Sequence, residues 1–284
     1  MKNRIVSLFP YKGGKTKLVR NIIPLIEWSV NHHELNAFCE LCGGSGKYIT
    51  NLNLPNNIYK VYCELDEGVT KLVTVLQDRE ATKLLIKKLL TFNFTQDEFY
   101  FMRDNYYSDN LDIITSAAYT YVFIRLSWKN ALTNYGEGKI KGKEQRFRKE
   151  IKDIIDKRFD IALKGVKIIQ GDCLNFLSQN IDRDDCFVTL DVPYPNTEGY
   201  PSNDRFGEFD YGQLIGILLE TKMKVLINGY DTDIYRKLEQ AGWQKIEFDN
   251  NSRRKGTRSE EFLWINFDVS QYTMERLRLK NTNK

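Results

Sequence analysis

The chain has 284 residues, 42% of them hydrophobic and 28% charged, with a net charge of +4 and a pI near 8.6. That composition fits one large domain, or a core with an insertion, and its mild basicity permits a nucleic-acid partner without demanding one. No apolar run is long enough to span a membrane, and Pro10, Gly13 and Gly14 so early are incompatible with a signal peptide.

Five cysteines, mostly in apolar strand-like runs, predict buried thiols in a reducing compartment. Cys39 and Cys42 form a Cys-x-x-Cys, but no second pair or histidine cluster completes a zinc site, and only His32 and His33 are present. No metal is expected.

Residues 8–17 read Leu-Phe-Pro-Tyr-Lys-Gly-Gly-Lys-Thr-Lys, and Leu18, Ile22, Ile23 and Ile26 then recur at helical spacing. Gly-Gly-Lys-Thr before a helix suggests a phosphate loop, but that motif requires a glycine where Phe9 stands. Asn36 to Cys42 reads as a strand, Gly43-Gly44-Ser45-Gly46 as a glycine turn, and Lys47 to Leu54 as a helical run. Bare backbone at such a turn lets a cofactor approach, although the same residues serve any tight turn. A second strand over Asn57–Cys63 ends at Glu64-Leu65-Asp66-Glu67. An acid about twenty residues past the glycines is where a nucleoside-binding fold holds its ribose. Glu64 is the first candidate and Asp66 the second; both could equally be caps of the next helix.

From about residue 69 to 132 the pattern is helical, marked by Leu72, Val75, Leu76, Leu84, Leu85 and Leu89, and Thr95 with Glu98 forms a capping box. Tyr119 to Leu132 reads as helix packing rather than a base-stacking platform. Asn134 to Gly142 breaks the helix. Between residues 139 and 158 nine Lys or Arg stand against four Asp or Glu, with Phe147, Ile151, Ile154 and Ile155 on an apolar face. The excess favours a polyanion, and a solvated helix face is the plain alternative.

Strands resume at 166–169, ending in Gly171-Asp172, at 187–190, and at 224–227, ending in Asn228-Gly229. Each precedes a helix, at Leu174 onward, Tyr211–Thr221 and Thr232–Ala241. Strands 243–248 and 261–267 close the pattern, with Arg253, Arg254, Lys255 and Arg258 on the tip between them. The reading is an α/β fold: a seven-stranded Rossmann-like sheet flanked by helices, with a helical insertion. Residues 1–75 and 160–284 would form the catalytic unit and 76–159 the insertion.

The apolar strand Cys186–Leu190 runs into Asp191-Val192-Pro193-Tyr194, at the sheet edge where ligands bind in such folds. An exocyclic amino nitrogen is a poor nucleophile because its lone pair is delocalised into the base. Asp191 and the main-chain carbonyl of Val192 could accept its two protons and draw that lone pair out. Pro193 keeps Val192 extended, which aims the carbonyl, and Tyr194 could stack on the base. A strand, a loop and a packed tyrosine are the alternative.

In their order these motifs resemble the Dam-type family of DNA adenine methyltransferases. Phe9-Pro-Tyr-Lys-Gly-Gly-Lys15 is similar to that family's Trp-Ala-Gly-Gly-Lys, which implies cofactor contacts from Tyr11 and Lys15. Glu40-Leu-Cys-Gly-Gly44-Ser-Gly46 resembles Glu-Pro-Phe-x-Gly-x-Gly, which implies the methionine end of S-adenosylmethionine. Glu64 stands for the ribose-binding aspartate, and Asp172 for the acid that meets the cofactor adenine. Asp191-Val192-Pro193-Tyr194 resembles Asp-Pro-Pro-Tyr, with valine for the first proline, and Asp191 is also placed near the cofactor. Residues 253–267 resemble the basic hairpin and closing strand.

The resemblance implies a cytoplasmic enzyme of a bacterial cell or its phage, in the manner of restriction–modification systems. It would methylate N6 of a flipped-out adenine in double-stranded DNA. Lys139, Lys141, Lys143, Arg146, Arg253, Arg254, Lys255 and Arg258 would grip phosphates. The rival readings are a catalytically silent DNA-binding homologue, and the same chemistry on RNA or cytosine. Asp191 favours adenine, since cytosine-amino enzymes of this type resemble Ser-Pro-Pro-Tyr.

Overall fold

The structure is a computed structural model that describes residues 7–11, 16–93, 95–106, 110–127, 135, 143–194, 210–248, 261–272 and 279–281. Its centre is a mixed sheet. Helix α1 (Thr16–His32) leads into β1 (Ala37–Leu41) and β2 (Tyr59–Glu64). Helices α2 (Glu67–Gln77), α3 (Arg79–Leu89), α4 (Gln96–Asp104), α5 (Ile113–Leu126), α6 (Lys143–Asp153) and α7 (Phe159–Ala162) follow. The sheet resumes with β3 (Val166–Gln170), then α8 (Cys173–Gln179), β4 (Cys186–Leu190), α9 (Tyr211–Glu220) and β5 (Lys224–Tyr230). Helix α10 (Arg236–Gln240), β6 (Gln244–Phe248), β7 (Glu261–Ile265) and β8 (Leu279–Asn281) complete the chain.

The strand order is β3-β2-β1-β4-β5-β7-β6-β8. The first five strands run parallel, and β7 is antiparallel to both β5 and β6. Helices cover both faces. One buried cluster joins Phe38, Tyr62 and Phe187 of the sheet to α1, α2, α3, α5 and α6; the other joins Val61, Val188 and Val225 to α8, α9 and α10. Strands β1 and β4 are buried along their whole length, as parallel strands covered on both sides must be.

The seven expected strands are present, and β8 adds an eighth at the edge of β6. Three residues, Leu-Lys-Asn, are too few to show a period of two in a sequence. The helical run expected from Lys47 to Leu54 is instead a set of turns. Helix α5 stops at Leu126, short of the expected 132, with Ser127 as its C-cap. Leu84 points outward, 51% exposed, while Leu85 and Leu89 form the buried stripe of α3.

Short polar caps explain where the helices begin. Asp66, Asp78, Thr95, Asp112 and Asp172 each accept a backbone N–H from the first turn that follows. The capping box at Thr95 is only half closed: Glu98 donates its N–H to Thr95, but its carboxylate accepts from the N–H of Asn93.

Helix α6 is pinned by Arg148. Its guanidinium donates to the carbonyls of Leu90 and Phe92, at 3.1 and 3.2 Å, and to Glu144 at 2.8 Å. So part of the positive charge between 139 and 158 closes the end of α3. Arg148→Ala should cost about 1–2 kcal/mol, since these are charge-assisted bonds on a partly exposed side chain. The midpoint should fall by about 3–6 °C in differential scanning calorimetry.

Candidate active site

In parallel α/β sheets, ligands bind beyond the strands' carboxyl ends, where the strand order reverses. Here that point lies between β1 and β4, with Glu40 opposite Thr189 and Leu41 opposite Leu190. Asp191 is the next residue. Leu190 also pairs with Ile227, so Asn228, within β5, lies alongside Asp191. Side chains alternate along a strand. Phe38, Tyr62, Phe187 and Leu226 belong to the cluster under α1 and α2. Glu40, Glu64, Asp191 and Asn228 lie two or four residues on and therefore face the same way. Four strands thus bring three acids and an amide to one edge.

The glycine turn is built against this row. Cys42 adopts φ +53° and Gly44 φ +48°, which turn the chain out of the sheet. A Cβ on Gly43 would lie 2.2 Å from the Tyr62 ring, so only glycine fits that approach. The Tyr62 hydroxyl donates to the Gly44 carbonyl at 2.6 Å. Tyr11 lies over Gly44, where an added Cβ would meet its ring at 3.1 Å. Leu8 donates its N–H to the Ser45 carbonyl, tying residues 8–11 to the turn.

Glu40 is buried and accepts the N–H groups of Tyr48 and Ile49, at 3.1 and 2.7 Å. These bonds shape the turn that replaces the expected helix. Glu64 accepts the N–H of Gly44 at 2.8 Å and that of Asp66 at 3.1 Å. Burial pushes the Glu40 carboxyl up to about 8, with Asp191 adding to the rise and the two N–H bonds opposing it. Burial likewise raises Glu64 to about 7 against its backbone bonds.

The structure separates the two ribose candidates. Asp66 caps α2 through the N–H of Val69 and accepts the Tyr106 hydroxyl at 2.7 Å. Glu64 is not a cap and bonds the glycine turn directly. Asp172 caps α8 through the N–H of Leu174, and Gly171 before it donates to the Glu64 carbonyl. A groove of about 420 Å³ runs from Gly171 and Asp172 along β2, β3 and α8, past Phe176, to Tyr59.

At the other end of the site, the side chain of Val192 is fully buried in the cluster under α8 and α9. An apolar β-branched residue fills that place. The Pro193 carbonyl accepts the Tyr211 hydroxyl at 2.6 Å. Tyr194 is buried and meets Tyr230 edge to face, with centroids 4.4 Å apart. Asn228 places its amide nitrogen 3.3 Å from the Tyr48 hydroxyl and 3.4 Å from the Leu190 carbonyl.

Tyr48, Tyr211, Asn228 and Tyr230 were not among the expected site residues. Asn228 carried a usable signal, a polar residue ending the apolar run Val225-Leu226-Ile227. The tyrosines carried none, because their contacts join segments distant in the chain.

Of the remaining candidates, Lys15, Lys139, Lys141, Arg253, Arg254, Lys255 and Arg258 lie outside the described residues. Lys143 and Arg146 fall on α6, with their side chains outside the description. Among the described residues no group of three or more His, Cys, Asp or Glu could hold a metal ion, and no helix is long and apolar enough to cross a membrane. All five cysteines are free thiols, and Cys39 and Cys186 approach to 3.4 Å between sulfurs.

The antiparallel β7 set between β5 and β6 distinguishes this sheet from an ordinary doubly wound one, and the fold is that of the Rossmann-like methyltransferases. A family model for the D12 class N6 adenine-specific DNA methyltransferase matches residues 11–247, and the chain belongs to that family. It is an enzyme of adenine methylation in DNA. No curated protein matches the chain in a sequence comparison.

Proposed function

We propose that this enzyme takes the methyl group from S-adenosylmethionine and transfers it to N6 of an adenine rotated out of duplex DNA. The observation that carries the reading is the placement of Asp191. It follows β4 at the reversal of strand order, on the same face as Glu40 and Glu64 and the glycine turn that they hold.

The residues present fit that cofactor. Burial makes ionisation of Glu40 and Glu64 costly, and Asp191 adds to that cost at Glu40. A ligand carrying positive charge relieves exactly that kind of strain, and S-adenosylmethionine has a sulfonium and an ammonium. Glu64 would hold the ribose, Asp172 the adenine, and Tyr11, Lys15, Glu40, Gly44 and Gly46 the methionine end, with Asp191 near the reacting centre. When bound, S-adenosylmethionine supplies an electrophilic methyl group.

The chain's own residues prepare the amine. Unstacking the adenine costs a few kcal/mol. Asp191 then accepts one amino proton in a hydrogen bond and the Val192 carbonyl the other, which localises the lone pair on nitrogen. Tyr194, braced by Tyr230, stacks on the ring, and the Tyr211 bond to the Pro193 carbonyl keeps the turn still. Holding both partners in line and placing fixed dipoles around them supply most of the acceleration.

Residues 76–159 would read the target sequence. Lys139, Lys141, Lys143, Arg146 and the cations at 253, 254, 255 and 258 would contact phosphates, which gives affinity without sequence preference. The setting would be the cytoplasm of a bacterial or phage-infected cell.

The test uses S-adenosylmethionine labelled in its methyl group, duplex DNA and the whole protein, followed by digestion to nucleosides. Label should appear in N6-methyladenine. Label in cytosine, transfer to RNA alone, or no binding of the cofactor in calorimetry would each overturn the reading.

A further inference from the structure

Asn228 is fully buried, yet its amide oxygen has no hydrogen-bond partner among the described residues. A buried acceptor left unpaired carries an uncompensated desolvation cost, and a leucine, with the same branching and no polar atoms, would avoid that cost. Stability therefore does not explain an asparagine here.

Its nitrogen does. An amide carries two N–H donors in one plane. The Asn228 nitrogen lies within reach of two acceptors, the Tyr48 hydroxyl oxygen at 3.3 Å and the Leu190 carbonyl at 3.4 Å. Those acceptors belong to the two halves of the site. Leu190 is bonded directly to Asp191, so fixing its carbonyl fixes the peptide plane from which the Asp191 side chain departs. Tyr48 lies in the turn after Gly46, and its own N–H is held by Glu40. A side chain that supplies both donors from this position necessarily brings the orphan oxygen with it.

We propose that Asn228 is a positioning residue for methyl transfer, bridging the Asp191 turn to the glycine-turn segment so that the amine and the methyl donor stay aligned. The inference rests on reading Asp191 as the acceptor of the amino protons. Neither contact is short, so each bond is weak alone, and the effect comes from orientation. A misplacement of about 1 Å at the reacting atoms is enough to slow transfer by about 100-fold.

The test compares Asn228→Leu and Tyr48→Phe with the unaltered enzyme. Asn228→Leu should lower kcat by roughly 10–100-fold. Its melting temperature should be unchanged or higher, and its KM for DNA and affinity for S-adenosylhomocysteine should stay within about threefold. Tyr48→Phe should lower kcat by about 3–10-fold, and the double variant should be no slower than Asn228→Leu alone, because the two changes break one bridge. A wild-type kcat in Asn228→Leu beside an inactive Asp191→Ala would sink this inference alone. So would a rate loss matched by an equal loss of analogue binding, or strict additivity in the double variant. Should Asn228→Leu not fold, a wild-type kcat in Tyr48→Phe has the same force. No methyl transfer by the unaltered protein would overturn both readings.

Discussion

Asp191→Ala should lower kcat by about 10³-fold, while S-adenosylhomocysteine binds the variant within about threefold of the unaltered protein. The aniline-like nitrogen of adenine cannot attack while its lone pair is shared with the ring. The carboxylate is the only charged acceptor proposed for its protons, so its removal acts on the transition state rather than on ligand binding. The backbone of β4 is held by its pairing with β1 and β5, and Val192 by the cluster under α8 and α9. Single-turnover transfer and calorimetry with the analogue separate the two effects. Full activity in the variant would remove Asp191 from the chemistry, and a parallel loss of analogue binding would make it a structural residue.

A second large effect should appear with pH in the ligand-free protein. Glu40 and Glu64 are raised from an ordinary 4.5 to about 8 and about 7, in both cases chiefly by burial. The folded protein therefore holds these two protons more tightly than the unfolded chain does. Their contribution to stability is present in full below about pH 4.5 and is lost as pH rises through 7 and then 8. A loss of a few kcal/mol corresponds to a fall in melting temperature of about 5–10 °C between pH 5.5 and 8.5. Glu40→Gln cannot ionise and should flatten the upper part of that slope, whatever its own melting temperature. Scanning calorimetry across the range decides it, and a flat profile in the unaltered protein would refute the assignment.

The strands were readable because a buried parallel sheet writes itself as short apolar runs with punctuation at each end. Phe187 to Leu190 followed by Asp191-Val192-Pro193 needed no tertiary information. The acid at the end of β2 was readable to within two residues, with Glu64 the first candidate, but its bond to the glycine turn was not. Glu64 and Asp66 both point towards the carboxyl edge, and only the bond from Gly44 to Glu64, against the cap that Asp66 makes to Val69, distinguishes them. The segment after Gly46 has apolar residues Tyr48, Ile49 and Leu52 at helical spacing, yet folds as turns. Glu40 accepts the N–H groups of Tyr48 and Ile49 as a cap would, and a single turn follows, with Thr50 donating to the Gly46 carbonyl and Leu52 to the Tyr48 carbonyl. The contacts that brace Asp191 have no local sequence signature, although Asn228 itself stands out as a polar end to an apolar run. Tyr211 reaches back 18 residues, and Asn228 reaches 38 residues to Leu190 and 180 to Tyr48.

Helices α3, α5 and α6 share their buried side chains with the sheet: Leu85, Phe123 and Ile151 belong to the same cluster as Phe38 and Phe187. A segment rooted in this way is not a cassette. Exchanging it wholesale between relatives would tear open the hydrophobic interior beneath the reaction centre. Under the proposal that residues 76–159 read the target, a new preference would come from changing outward-facing side chains on this scaffold rather than from replacing it.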